Sequence, residues 1–237
     1  MSEYDLYYWP IPFRGQFVRA LLAYASKSWT EHGAEEISKL MSGLMQRRPV
    51  PFIGPPLLID KKADFAIAQM PAIVLYLGET LNMLPEASSL RAMTMKVVND
   101  ANDVIDDLTL DGGRLMWTQK RWGDFVPRLK NWMSLWEETG RRHGLKSRSG
   151  FLLGGETPGV ADVVTSTLWS TMADRFPRIK AIFEETAPVT AALTKRVAAL
   201  PPLAELAARA RHDYGDAYCG GRIEASLRKV LPEELTP

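Results

Sequence analysis

The chain has 237 residues, which is enough for one large domain or two small ones. Hydrophobic residues make up 46% and charged residues 24%, as in ordinary globular proteins, and the net charge is +1. This charge balance argues against a general attraction to nucleic acid or anionic membranes, and no apolar run approaches the length that spans a bilayer.

Cysteine and histidine are scarce in this chain. The single cysteine, Cys219, excludes an internal disulfide and is typical of a reducing compartment. The three histidines are scattered, which argues against a zinc site. The N-terminal residues lack the apolar core of a signal peptide. We therefore expect a cytoplasmic protein that holds no metal.

The first part of the chain alternates strand and helix signals. Residues 4–9 are rich in aromatic side chains and predict a strand, which the Pro-Ile-Pro segment at 10–12 closes. Apolar residues at helical spacing follow from Gly15, then a second strand at 29–34 and a second helix at 35–47. A strand-helix-strand order predicts two parallel strands with a crossover helix.

Two short strands come next, one within 54–60 and one at the start of 65–73, and a helix follows at about 71–81. A proline directly before a strand must occupy its first position, and an X-Pro bond adopts the cis form at low cost. A cis bond before Pro56 would leave the backbone of Pro55 free to pair with an extended ligand. The helix start nearby would offer free N–H groups to an anion. This combination suits a small acidic peptide.

The rest of the chain is nearly all helical by its apolar periodicity. Pro127 predicts a kink or a break in one of these helices, and the tail after Tyr214 is ambiguous. The predicted helices are 88–117, 121–143, 159–175, 187–199, 201–212 and a short one at 223–230.

Five segments, in this order and at this spacing, resemble a cytosolic glutathione S-transferase, with features of its tyrosine-type classes. The resemblance implies an α+β thioredoxin-like N-terminal domain over 1–82, a linker over 83–87 and an all-α helical C-terminal domain over 88–237. The matching segments are Tyr8-Trp9-Pro10 with Arg14-Gly15, then Pro56, Gln69-Met70-x-Ala72-Ile73-x-x-Tyr76-Leu77, Val98-Asn99-Asp100 to Asp107-Leu108, and Val160-Ala161-Asp162.

The resemblance makes Tyr8 the candidate catalytic residue. A free thiol of pKa about 8.5 is mostly protonated at neutral pH, and a hydroxyl that donates to the sulfur favours the thiolate. The alternative is a tyrosine packed in the core. Tyr7 points to the opposite face of the strand.

The resemblance also implies the residues that hold glutathione, which is the expected co-substrate. These residues are Arg14, Pro55, Pro56, Gln69 and Met70. Two of them depart from the family pattern: Pro55 has no N–H to pair with the ligand, and Met70 replaces a serine whose hydroxyl would bind it. Together these losses correspond to roughly 2 kcal/mol. The glutathione site is therefore weak, compensated by other residues, or used for a different ligand.

Two further expectations depend on neighbouring structure. The resemblance implies that Asp100 reaches glutathione from the second subunit of a homodimer, whereas a solvated acidic helix face is the alternative. The acceptor pocket would lie between the domains, although each candidate taken alone is more often a core residue. The candidates are Trp9, Phe13, Met116, Trp117 and the tail near Tyr214 and Tyr218.

Asp162 follows Gly159 where the family has a capping box, and we interpret this motif as structural. Our main functional hypothesis is a detoxifying glutathione transferase that joins the glutathione thiolate to a small hydrophobic electrophile. One alternative is a non-catalytic ligand-binding or protein-interaction module, because Pro55 and Met70 each remove a hydrogen-bonding group from the peptide site. Another is a glutathione-dependent peroxidase or isomerase, which would use the same site.

Overall fold

The computed structural model describes residues 2–231, and its first third holds one mixed sheet with three helices. In the sheet order β2-β1-β3-β4, β1 is parallel to β2 and antiparallel to β3, and β4 is antiparallel to β3. This arrangement confirms the predicted parallel unit and the antiparallel hairpin. The elements are β1 (Tyr4–Tyr7), α1 (Phe13–Tyr24), β2 (Trp29–His32), α2 (Ala34–Ser42), β3 (Leu57–Asp60), β4 (Phe65–Ala68) and α3 (Met70–Thr80).

The remainder of the described chain is helical, which confirms the predicted fold class. The stretch between α3 and the next helix contains the proposed linker, and the division into two domains there stays a prediction. The helices are α4 (Ser88–Leu108), α5 (Leu110–Gly113), α6 (Gln119–Arg142), α7 (Val160–Arg175), α8 (Pro177–Thr186), α9 (Pro188–Ala198), α10 (Pro201–Tyr214) and α11 (Gly221–Val230).

Several predicted boundaries were wrong. The helix predicted at 88–117 ends at Leu108, because Leu110 and Asp111 have positive φ angles of 42° and 52° and a Gly-Gly pair follows. The helix predicted at 35–47 ends at Ser42, and a 3-10 turn takes its place at Met45–Arg47.

Prolines explain the other differences. Pro127 lies inside the single helix α6, so it does not break the helix as one reading of the sequence expected. Helix α8 was not predicted at all. It begins at Pro177, and α9 begins at Pro188, because proline suits the first turn of a helix, where no N–H is needed.

Helix α7 is the central element of the helical part. Every residue from 160 to 169 is buried, and the helix packs against α1, α4, α8 and α9. Its polar side chains therefore need partners inside the core. The Nε1–H of Trp136 donates to Thr165 Oγ1 at 2.9 Å, and Ser166 Oγ donates to the carbonyl oxygen of Thr194 at 3.1 Å.

The buried carboxylate of Asp162 anchors the loop that precedes α7. It accepts hydrogen bonds from the backbone N–H groups of Leu152 at 2.7 Å and Gly159 at 3.0 Å. Burial raises its pKa, against the opposite effect of these N–H donors. The Gly159–Asp162 motif is thus a helix cap that also fixes the loop.

Helix α1 joins the two parts of the molecule. It packs against α3 on the sheet side and against α7 and α10 on the helical side. Within residues 2–231, we find no helix of the length and apolarity needed to cross a membrane.

We predict that Asp162→Ala lowers the free energy of unfolding by about 2–4 kcal/mol, because two buried N–H groups lose their acceptor. The matched control is Glu156→Ala, which removes an exposed carboxylate from the same loop and should change stability by less than about 0.5 kcal/mol. Urea unfolding followed by circular dichroism measures both. Equal stability of the two variants would contradict the anchoring role.

Candidate active site

Three predicted site residues that are far apart in sequence lie side by side at one edge of the sheet. Tyr7 pairs with Leu57, and Leu57 pairs with Ala68. Tyr8, Pro56 and Gln69 adjoin these three paired residues in the chain, so they form the next row across the sheet. The N–H of Gln69 donates to the carbonyl oxygen of Pro56 at 3.2 Å, which continues the row beyond the strands.

Tyr8 follows the last residue of β1, and its side chain is buried with 3% exposure. Its Oη accepts a hydrogen bond from the backbone N–H of Arg14 at 3.0 Å. Among residues 2–231, no acceptor is bonded to the hydroxyl proton. Burial raises the pKa of Tyr8 to about 12, although Arg14 and Arg19 act in the opposite direction. Tyr8 is therefore a neutral hydroxyl with a free proton near pH 7.

Helix α1 fixes the Tyr8 ring from behind. A Cβ atom added to Gly15 would lie 2.3 Å from Tyr8 Cδ1, so this close approach requires glycine. The guanidinium of Arg19 lies over the same ring, 5.6 Å from its centroid. The Nε–H of Arg19 donates to Glu31 Oε1 at 2.7 Å, and an Nη1–H donates to the carbonyl oxygen of Ile11 at 3.0 Å.

Sequence analysis missed Arg19 and Glu31. Arg19 belongs to no motif, but a charged residue between the apolar residues Val18 and Leu21 was a usable signal. A buried guanidinium in such a position must have a carboxylate partner.

The bond between Pro55 and Pro56 is cis, as the sequence predicted. Pro55 has no N–H, so its carbonyl oxygen is its only backbone group that can pair with a ligand. Gln69 is exposed and has a φ angle of 76°, which is uncommon outside glycine and clusters at functional sites.

The N-terminus of α3 lies directly after Gln69. Met70 is fully buried with its backbone, so its side chain faces the core and the residue offers no exposed group to a ligand. Pro71 has no N–H, and the first N–H groups of a helix have no partner within it. The N–H group of the half-buried Ala72 is therefore the donor available to an anion at this point.

Arg14 joins the site to α4. Its Nε–H donates to Asn102 Oδ1 at 3.3 Å, and its guanidinium forms an ion pair with Asp106. Asp100 lies on the same helix and pairs with Lys96 one turn earlier. The structure therefore places Arg14 beside α4, and it shows Asp100 engaged within its own helix.

The acceptor-pocket candidates fall into different environments. Phe13 is buried and makes an edge-to-face contact with Tyr218, at 5.5 Å between ring centroids. Trp9 and Met116 are half-buried against the core. Trp117 packs edge-to-face against Trp122, and its Nε1–H donates to the carbonyl oxygen of Leu108 at 3.0 Å. Trp117 is therefore a core residue.

One carboxylate fixes the turn between α10 and α11, whose Tyr218 contacts Phe13. Glu224 Oε2 accepts backbone N–H groups of Tyr218 and Cys219 at 2.9 Å and of Gly220 at 2.6 Å. Burial opposes the ionised form, but these donors and Arg228 hold the pKa of Glu224 below its usual value. Sequence analysis missed this anchor, although a glutamate in the first turn after two glycines is a helix-start signal.

The thiol of Cys219 is not suited to act as a nucleophile near neutral pH. Burial raises the pKa of Cys219 to about 12, so its thiol is not ionised near neutral pH. In the part of the chain that the structure describes, no three His, Cys, Asp or Glu side chains are grouped to hold a metal ion.

Comparisons with known proteins agree with this arrangement. A family model described as the C-terminal domain of glutathione S-transferase matches residues 93–230. A search of curated proteins gave no match. The solved structures include NaGST-2, with 20% identity over 88% of this chain and 97% of that chain and a TM-score of 0.69.

Two other solved structures have the same fold. NaGST1 is 22% identical over 88% of this chain and 97% of its own, with a TM-score of 0.69. The pi-class glutathione S-transferase of Onchocerca volvulus is 17% identical over 92% of this chain and 98% of its own, with a TM-score of 0.72. Since the family model covers more than half of the sequence, the chain belongs to the glutathione S-transferase family.

Proposed function

We propose that this protein is a glutathione transferase in which the Tyr8 hydroxyl stabilises the glutathione thiolate for attack on a small hydrophobic electrophile. The observation that carries the proposal is the hydrogen bonding of Tyr8. Its oxygen accepts the N–H of Arg14, and its own proton has no acceptor among residues 2–231. This proton is available for a sulfur atom at the same edge of the sheet.

The state of Tyr8 suits a donor and not a base. With a pKa of about 12 it stays protonated near pH 7. The N–H that Tyr8 accepts polarises its O–H bond and strengthens the bond that it donates. In the reaction, the thiol loses its proton to solvent and the sulfur electron pair forms the carbon–sulfur bond. The leaving group of the electrophile departs with the electron pair of the bond that breaks.

The residues around Tyr8 support a peptide co-substrate. The Pro55 carbonyl oxygen can accept an N–H from the cysteinyl part of glutathione. The N–H group of Ala72 can donate to its γ-glutamyl carboxylate, with the exposed Gln69 side chain beside it. The missing Pro55 donor predicts weaker binding than a complete backbone pair would give.

We also propose that the protein acts as a homodimer in which α4 faces the second copy. Desolvation and the charges of Asp100, Asp106 and Asp107 raise the pKa of Asp103, which is exposed on α4. Each of these three neighbours is paired with a basic side chain, whereas Asp103 has no ion pair within residues 2–231. A cation would relieve this repulsion. The γ-glutamyl ammonium group of glutathione on the partner subunit is such a cation, and Asp100 is the carboxylate that we expect it to meet.

One observation favours the alternative of a non-catalytic ligand-binding module. Tyr8 is only 3% exposed, and Phe13, the first residue of α1, is buried in contact with Tyr218. An electrophile can reach the sulfur only if the start of α1 or the segment around Tyr218 moves. Saturable glutathione binding without thiolate formation or turnover would support the module.

We expect Tyr8→Phe to reduce kcat/KM for conjugation of glutathione with chlorodinitrobenzene by about 10- to 100-fold, because one hydrogen bond to the charged sulfur is lost. The thiolate absorbance of bound glutathione should appear only at higher pH. The control is Tyr7→Phe, because Tyr7 stacks on His32 at 4.2 Å on the opposite face. Unchanged turnover in Tyr8→Phe would refute the catalytic role.

The pH profile gives an independent check. Because the pKa of Tyr8 is raised to about 12, its hydroxyl stays protonated and keeps donating until the pH approaches that value. The conjugation rate should therefore rise with pH as the glutathione thiol ionises below pH ~8.5. Above that pH the rate should stay level. A fall in rate between about pH 8 and 10 would show that Tyr8 ionises in that range.

Restoring the missing donor should strengthen glutathione binding. Pro55→Ala returns the backbone N–H while Pro56 is kept, and we expect Kd for reduced glutathione to fall about fivefold, for one hydrogen bond of about 1 kcal/mol. Isothermal titration calorimetry measures this change. The control is Pro51→Ala in the same loop, at an exposed position. Weaker or unchanged binding in Pro55→Ala would show that the ligand does not pair with residue 55.

A further inference from the structure

Arg19 is a buried charged residue that takes no direct part in the proposed reaction. It lies on α1 with 2% exposure. Its Nε–H and an Nη2–H donate to the two carboxylate oxygens of Glu31 at 2.7 and 3.1 Å. Burying an ion pair is costly, and apolar residues of similar volume often serve stability equally well. Stability alone is therefore a poor explanation for this arginine.

Arg19 holds the ring of Tyr8. Its guanidinium lies over this ring, 5.6 Å from the centroid. Gly15 makes the contact possible, because a Cβ atom there would lie 2.6 Å from Tyr8 Cγ and 3.0 Å from Arg19 Nη1. The positive charge of Arg19 also opposes the rise in the pKa of Tyr8 that burial causes. Since a phenol is rigid, the position of the ring determines where its hydroxyl lies.

Arg19 also holds the backbone that donates to Tyr8. An Nη1–H of Arg19 donates to the carbonyl oxygen of Ile11 at 3.0 Å, with that of Pro12 at 3.5 Å. These residues lead into Arg14, whose N–H donates to Tyr8 Oη at 3.0 Å. One guanidinium therefore fixes both the ring of Tyr8 and the segment that supplies its hydrogen bond.

Strand β2 and helix α10 hold the guanidinium of Arg19 on its other sides. The ring of Tyr214, the last residue of α10, has its centroid 5.3 Å from the guanidinium. Glu31 on β2 also accepts the Nε1–H of Trp29 at 2.7 Å. Arg209 of α10 lies over the Trp29 ring, 5.0 Å from the centroid. The position of Arg19 thus depends on a helix outside the sheet.

We propose that Arg19 is a positioning residue for the Tyr8 hydroxyl, and that Glu31 and Tyr214 keep it in place. This inference rests on the proposed transferase function. Arg19 acts through Tyr8 and not on the glutathione sulfur, because it sets where the hydroxyl lies and which way its proton can point. Catalytic groups need support of this kind, since a displacement of about 1 Å can cost up to ~100-fold in rate.

Titration of the thiolate absorbance of bound glutathione with pH tests the proposal in the full chain. Arg19→Met removes the guanidinium. The double variant Arg19→Met with Glu31→Gln removes the pair without leaving an unpaired buried charge, so it guards against a folding defect. In both variants we expect the thiol pKa to rise by about one unit. At about pH 6, kcat for chlorodinitrobenzene should fall about five- to tenfold, while KM for glutathione changes less than about twofold.

A double-mutant cycle shows whether Arg19 acts through Tyr8. If it does, Arg19→Met should change the thiol pKa little once Tyr8→Phe is present. Tyr214→Leu, which removes the supporting ring on α10, should raise the thiol pKa by less than Arg19→Met does. The matched control is Asp162→Ala, which removes a buried charge from α7 and should lower stability without moving the thiol pKa.

The possible failures are distinguishable. Absence of thiolate in the wild type would overturn the proposed function and, with it, this role of Arg19. A wild-type thiolate whose pKa is unchanged in both Arg19 variants would overturn the role of Arg19 alone. Full additivity of Arg19→Met and Tyr8→Phe would overturn it as well, and so would an equal pKa shift in Asp162→Ala. An unchanged thiol pKa in Tyr214→Leu would refute the part assigned to α10.

Discussion

The register between β1 and β3 is the constraint on which the candidate site depends. Pairing of Tyr7 with Leu57 places Tyr8 beside Pro56, and pairing of Leu57 with Ala68 adds Gln69 to the same edge. A shift of one residue would turn Tyr8 to the opposite face of the sheet. Leu6 and Leu58, which pair with each other and are fully buried, oppose such a shift because it would move Leu6 out of the core.

Helix α1 converts this alignment into a site with a defined orientation. Its first residues supply the N–H that Tyr8 accepts, and the missing side chain of Gly15 makes room for the ring. The guanidinium of Arg19 lies over the Tyr8 ring and is itself held by an ion pair with Glu31 on β2. Because α1 also packs on α7, the position of the tyrosine depends on both parts of the molecule.

Sequence reasoning worked best where one local rule controls the structure. The X-Pro bond at Pro56, the strand–helix order and the capping carboxylate of Asp162 all have such rules. It failed at the helix predicted over 88–117, because the apolar pattern continues past the glycine turn at which the helix ends. It also failed at α8, because the proline that begins this helix was not recognised as a helix start. The contact of Arg19 on α1 with Glu31 on β2 joins two separate elements, and no local pattern specifies which carboxylate the guanidinium meets. The partners of Glu224 are local, and its position in the first turn of α11 was a signal that the sequence analysis did not use.

The environment of Cys219 has a consequence for the proposed reaction with electrophiles. Only the thiolate is an effective nucleophile, and burial keeps the pKa of this thiol at about 12. Less than about one molecule in ten thousand would carry the ionised sulfur near pH 7. For the proposed transferase, this means that a reactive substrate would meet almost no nucleophilic sulfur of the protein itself at the segment that lies against the candidate active site.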